Sequence, residues 1–171
     1  MRDNPYGARL NPNPGGGRIT MTDADPRQRG LFAAAWMIGY AAAVADAGLD
    51  ALTLGALAGH FGVVEPDGRL RPAFHAARAL ARLAGHAARP ATSSEPSAVL
   101  AVCGGDTVLV ANLTGERQRC RVPGLVALER LDEAALSPLF RGDPLPVELG
   151  KRDRFELGAY GIAIATVGDA G

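Results

Sequence analysis

Leu31-Phe32-Ala33-Ala34-Ala35-Trp36-Met37-Ile38-Gly39-Tyr40, followed a short way on by Ala51-Leu52-Thr53-Leu54-Gly55, is the stretch on which the fold turns. The first part belongs to a helix with a well-marked start. Asp25 can accept from the free amides, Pro26 suits the first helical position, and Gln28 supplies the far side of a capping box. Gly48 is the expected stop, so the spacing predicts a helix from about residue 26 to 47. Beyond Gly30 this helix is apolar on nearly every face, and such a helix has to be covered on all sides. Ala51–Leu54 then reads as a short strand buried on both faces, as in the middle of a parallel sheet.

Outward from that stretch, a glycine-bearing loop (Ala56 to Asp67) leads to a second helix expected over residues 72–84. Phe74, Ala77, Leu80, Ala81 and Leu83 give it an apolar stripe, and Gly85 ends it. The pattern then changes. Residues 89–97, rich in Pro, Ser and Thr, read as a linker. Seven short strands are expected beyond it, at 98–103, 107–113, 118–122, 126–131, 145–149, 154–157 and 161–167. Gly104-Gly105-Asp106 and Thr114-Gly115-Glu116 read as hairpin turns, and the whole as an antiparallel β-sandwich. Upstream, residues 1–22 carry three Asn-Pro steps and Gly15-Gly16-Gly17, and read as one long loop.

The expected organisation is therefore residues 1–88 as a helix–strand–helix piece, 89–97 as a linker and 98–171 as a sandwich. The first piece is incomplete by physical argument. A lone buried strand leaves backbone groups unpaired on both edges, at about 1–3 kcal/mol each. Six such groups would rival a domain's whole net stability of about 5–15 kcal/mol. Something else has to pair with that strand.

Composition removes several function classes. The chain has 171 residues, 47% of them apolar, and a formal net charge of zero, so nothing steers it to nucleic acid or an anionic membrane. Lys151 is the one lysine among 18 basic residues, which reads as compositional bias rather than function. The apolar run Leu31 to Ala45 is too short to span a bilayer, and no secretion-signal pattern follows Met1, so a cytoplasmic protein is expected. Cys103 and Cys120 are too few for a disulfide framework; on different expected strands they could form a single bridge, but two free buried thiols are the favoured reading. No Cys/His cluster has metal spacing, and no cofactor is expected.

Taken together, Arg2-Asp3-Asn4-Pro5-Tyr6-Gly7, Asp25-Pro26-Arg27-Gln28, Ala34-Ala35-Trp36 and Ala51-Leu52-Thr53-Leu54-Gly55 resemble the D-apionate lactonase-like proteins. These are glycoside-hydrolase-type (β/α)8 barrels with a C-terminal β-sandwich. The resemblance implies an α/β plus all-β architecture: the last two βα units of the barrel, then the sandwich. Residues 51–54 would be the eighth strand, and Met1 to Gly7 would leave the seventh. A whole barrel takes about 200–250 residues, against the 88 that precede the linker. A truncated, split or internally started coding region is therefore expected.

Barrel active sites lie at the C-terminal ends of the strands. Two such ends are expected here, one followed by Arg2, Asn4 and Tyr6 and the other by His60 and Phe61. Arg2 presents a fork of donors suited to a carboxylate or lactone oxygen, although an ordinary loop arginine explains it as well. Asn4 could hold a sugar hydroxyl or simply turn the chain before Pro5, and Tyr6 could be a platform for a sugar ring or mere packing. His60, in Gly59-His60-Phe61-Gly62, is the candidate general acid or base, set against a structural loop histidine. His75 reads as a packing or capping residue and His86 as a cation at a helix exit.

No carboxylate pair fits a glycosidase: Asp25 is a cap, Asp46 and Asp50 bracket the wrong end of the strand, and Glu65 and Asp67 read as a surface turn. Asn112-Leu113-Thr114 matches a glycosylation sequon by chance. The reading is thus part of a carbohydrate-active hydrolase, inactive alone, whose completed form would take a sugar or sugar-acid lactone. The alternative is a noncatalytic sandwich module docking, through the apolar helix around Trp36, onto a separately encoded barrel half. An autonomous sugar-binding sandwich is weakened by an aromatic content of 5%.

Overall fold

Asp25 opens the structured chain as expected, but one residue interrupts the helix it starts. In the computed structural model, residues 25–136, 144–149 and 153–168 are described. Asp25 accepts from the amide of Arg27 and caps a single 3-10 turn, Pro26–Arg29. Gly30 is then extended (φ −108°, ψ 177°), and α1 begins after it, at Leu31–Val44. The predicted helix is thus cut at Gly30, where the backbone resists helix for entropic reasons. The second helix, α2 (Pro72–Ala81), also stops earlier than predicted, its exit tightened by 3-10-type bonds such as Leu83 N to Leu80 O at 3.0 Å. Among the described residues no helix is long and apolar enough to cross a membrane.

Among the described residues eight strands follow: β1 (Arg89–Ala91), β2 (Val99–Gly104), β3 (Thr107–Asn112), β4 (Gln118–Arg121), β5 (Leu125–Leu131), β6 (Val147–Leu149), β7 (Arg154–Leu157) and β8 (Ile162–Val167). Seven match the predicted strands to within a residue or two at each end. The eighth, β1, is a correction. It lies in the segment read as a linker and pairs antiparallel with β2, Pro90 opposite Val102. Proline is tolerated there because the strand is an edge of the sheet.

The larger sheet runs β1-β2-β3-β8-β5-β6 and the smaller is β4-β7, all pairs antiparallel. A second correction comes from this order. Gly104-Gly105-Asp106 does close a hairpin, with Gly104 opposite Thr107, but Thr114-Gly115-Glu116 carries the chain from β3 into the other sheet.

Strict alternation along the central strands divides the interior into two cores. Leu109, Ala111, Ile162 and Ile164 face the helices and join Ala34, Ile38, Ala42, Ala76 and Leu83 in one cluster. Val110, Ala163 and Ala165 face the small sheet and join Leu128 and Leu157 in the other. The layers are therefore helices, six-stranded sheet, two-stranded sheet. Phe32 meets Tyr160 edge-on at 5.4 Å between ring centroids. Gly39 lies against Leu113 so closely that an added Cβ would sit 2.7 Å from its Cδ2. At the far end of α2, Arg82 ion-pairs with Glu129 of β5. Both cysteines are free, and burial holds the Cys120 thiol above its ordinary range.

The polar centre of the sheet is Asn112, which is fully buried. Its Nδ2 donates to the carbonyls of Glu116 (2.7 Å) and Gly158 (2.8 Å), and its Oδ1 accepts from the amide and hydroxyl of Thr114 at 2.9 and 2.8 Å. One side chain thus ties the β3–β4 crossing to the β7–β8 turn.

The helical front is different. Ala51–Leu54, predicted to be a strand, makes no backbone hydrogen bond among the described residues and is not a strand here. The physical reason is that strand structure requires a neighbouring strand. Nor is α1 covered on all sides. Trp36 and Tyr40 stack on each other at 5.1 Å and remain 48% and 42% exposed.

Candidate functional site

The segment that follows Leu54 folds back on itself. Gly62 N donates to Gly59 O (3.0 Å), Val63 N to Ala56 O (3.0 Å) and Val64 N to Leu57 O (3.0 Å), which closes a compact loop around His60 and Phe61. Two glycines make this path possible. Gly59 has φ +90°, and at Gly62 a Cβ would lie 2.4 Å from the backbone carbon of Ala58. From sequence the segment was only a glycine-bearing loop. In the structure the two glycines are steric requirements of one definite shape.

Arg71 holds the loop from inside. It lies between Leu70 and α2, is 1% exposed, and its amide donates to Val63 O at 2.9 Å. Its Nη1 donates to Gly62 O at 2.6 Å and to His60 O at 3.1 Å, and its Nη2 donates to Glu65 Oε2 at 3.0 Å. The other oxygen of Glu65 pairs with Arg29 Nε at 3.1 Å. The hydrogen bond from Arg71 holds the Glu65 carboxyl below the ordinary carboxylate range, with the charges of Arg71, Arg29 and Arg69 adding to it. Glu65 does open the surface turn read from sequence, its carbonyl accepting from Gly68 N at 2.9 Å, but its carboxylate is engaged by Arg71 and Arg29, which the sequence did not signal. Asp67 beside it does pair outward, with Arg69 at 2.7 Å.

This carboxylate also orients the molecule. Arg29 directly precedes Gly30 and α1, and Arg71 directly precedes α2, so both helices start at the end where Glu65 and the loop lie. His60 is exposed there and Phe61 half-buried. The chain enters the described region at Asp25, four residues before Arg29. The other candidates, Arg2, Asn4 and Tyr6, lie outside the described residues. The structure therefore places His60 and Phe61 on one loop and does not place the remaining three.

His75 is buried one turn beyond Arg71, its ring edge-on to Phe74 at 5.7 Å, and so belongs to the packing of α2. The His86 ring lies against the Gly105 turn. Among the described residues no group of three or more His, Cys, Asp or Glu is placed to hold a metal.

Two hollows flank these elements. One, of about 520 Å³, runs beside Leu52–Leu57 and is walled by Met37, Val63, Ala77 and Leu80. It is apolar and continues toward exposed Leu52 and Leu57. The other, of about 770 Å³, lies in the sheet region among Arg117, Arg130, Asp132, Glu148 and Glu156. Its charges are largely spent on one another. Arg117 pairs with Glu156 at 3.2 Å, and Arg130 pairs with Glu148 and donates to Glu156 O.

Comparison with known proteins matches the helical front and the sheet to two different domains. The family model described as "D-apionate lactonase, TIM barrel domain" matches residues 1–85, and "D-apionate lactonase, C-terminal immunoglobulin-like domain" matches residues 96–165. The chain belongs to the D-apionate lactonase family. A curated D-apionate lactonase from Brucella anthropi is 38% identical over 147 residues, covering 82% of this chain and 24% of that protein. The chain thus spans about a quarter of that relative's length.

Among solved structures, a GH39 β-xylosidase from Caulobacter crescentus superposes with a TM-score of 0.51 at 16% identity, over 86% of this chain and 42% of that one. At that identity the likeness concerns fold alone, and the fold is a barrel portion joined to a β-sandwich. The D-apionate lactonase family is carbohydrate-hydrolase-like. Ala51–Leu54 and the Ala56–Arg71 loop both lie in the stretch matched to the barrel domain.

Proposed function

We propose that this chain forms part of the active-site wall of a sugar-acid lactone hydrolase, with the immunoglobulin-like sandwich attached behind it. The observation that carries the reading is the Ala56–Arg71 loop. It is rigidly tied, lies at the end where both helices begin, and sits in the stretch matched to the barrel domain. At that end of a barrel the loops after the strands form the pocket. His60 and Phe61 then face the substrate from one loop, and Arg2, Asn4 and Tyr6 from the other. In lactone hydrolysis water adds to the ring carbonyl and the ring C–O bond breaks, giving a hydroxy acid. Phe61 and Tyr6 suit the sugar's apolar face, Arg2 and Asn4 its oxygens, and His60 a proton transfer. The principal catalytic groups would come from residues other than these.

The purified chain, followed by pH-stat with an aldonolactone, is expected to give no turnover above the spontaneous rate. Turnover above it would overturn the proposed division of labour.

A second reading is favoured by the stacked, exposed Trp36–Tyr40 pair beside the apolar hollow. Here the chain is a noncatalytic module that docks its helical front onto a separately encoded barrel half. It predicts self-association of the isolated chain, since an exposed apolar face of this kind is sticky. A cleanly monomeric species by size-exclusion chromatography with light scattering would count against it.

A further inference from the structure

We propose that Arg71 is a positioning residue, whose enclosed guanidinium sets the shape of the Gly59–Gly62 loop and so the placement of His60 and Phe61. The inference deepens the reading above and rests on it for the claim that this loop faces substrate. The placement itself rests on the geometry alone.

Arg71 is a poor choice if stability were its purpose. Its side chain is 1% exposed, and its Nε has no hydrogen-bond partner among the described residues. An orphan buried N–H is costly, and a buried ion pair is often no better for stability than a well-packed apolar side chain of similar volume. What the guanidinium supplies instead is planar geometry. Two separate carbonyls, those of His60 and Gly62, converge on Nη1, and a carboxylate is held on Nη2. No apolar residue can fix two carbonyl directions at once, and lysine offers a point charge rather than a fork. Glu65 extends the same grip to Arg29, so loop, α1 entrance and α2 entrance share one anchor. The two carbonyls belong to the His60–Phe61 and Gly62–Val63 peptides, so a displaced anchor turns the chain before Phe61 and after Gly62. In a site of this kind, misplacement by about 1 Å costs on the order of 100-fold in rate.

The test is local against global order in the chain carrying R71M or R71K. Amide hydrogen exchange is read by NMR at Gly62, Val63 and Val64, and at β3 and β8 as the reference. R71M is expected to raise loop exchange at least tenfold with the sheet unchanged, and to move the His60 ring resonances to those of a free histidine peptide. R71K is expected to raise it less, with the same restriction to the loop.

Unchanged loop exchange in R71M would overturn the proposal, as would a rise of equal factor throughout the chain, which would mark a purely stabilising role. If R71M does not fold, R71K decides by the same criteria. None of these readings depends on lactone turnover. A failure of the proposed activity therefore leaves them intact, and a failure here leaves the proposed activity to its own assay.

Discussion

The sheet and the helical front of this protein solve the same problem to different degrees. In the sheet, β3 and β8 are buried on both faces and hydrogen-bonded on both edges, and the one buried amide side chain, Asn112, is surrounded by partners. In the front, α1 buries Ala34 and Ile38 completely yet leaves Trp36 and Tyr40 half in water, and among the described residues Ala51–Leu54 has no strand beside it. Apolar content is high in both regions. The difference is backbone satisfaction, which hydrophobicity alone does not supply.

The contrast can be broken or sharpened by substitution. The largest effect is expected from Leu109→Ala, in the core that both regions share, at about 3–4 kcal/mol. Urea unfolding should then move the Trp36 fluorescence and the far-ultraviolet dichroism together. Separate transitions would break the idea of a common core. Asn112→Ala comes next, at about 2–3 kcal/mol, because it removes a fully buried amide that bonds the carbonyls of Glu116 and Gly158 and the amide and hydroxyl of Thr114. A loss below about 1 kcal/mol in the same titration would mean that water replaces the amide.

Leu52→Lys should change stability by no more than about 0.5 kcal/mol, since Leu52 is 40% exposed. It should shift the chain toward monomer in light scattering. A strong destabilisation would show that the front is more complete than its backbone suggests.

The smallest effect concerns pH. The folded Glu65 carboxyl titrates below its unfolded value of 4.5, so its stabilising contribution is complete above that value. It is lost as pH falls through the depressed folded one. Protection of the Gly62–Val64 amides, relative to the intrinsic exchange rate at each pH, should therefore fall on acidification, and E65Q should show little of that fall.

The sequence was legible where a period carried the information. Seven strands could be read from alternation and turn residues, and both helices from their caps and stripes. The unpaired tetrapeptide could also be read, because a doubly apolar run with no neighbour is a conflict visible without coordinates. Illegible were features set by distant partners. Nothing in Leu70-Arg71-Pro72 signals a buried guanidinium, since an arginine before a helix is ordinarily solvated. The nearest hint was that Arg71 is flanked by Leu70 and by the buried residues Pro72 and Ala73. Likewise Pro90 hid β1, because proline argues against a strand everywhere except at an edge. Of the proposed site, His60 and Phe61 were named from position alone, while Arg71, which holds their loop, was not.

The layering has a practical corollary for anyone who would treat the two halves as interchangeable parts. Severing the chain between Ser97 and Ala98 would follow the boundary visible in composition, yet it would remove β1 from the sheet edge. It would also bare the floor on which α1 lies, Leu109, Ala111, Ile162 and Ile164. The excised immunoglobulin-like half would be an open-faced layer, prone to clump, rather than a portable unit. Grafts and deletions in this protein are better made at solvent-facing turns than at the seam its composition suggests.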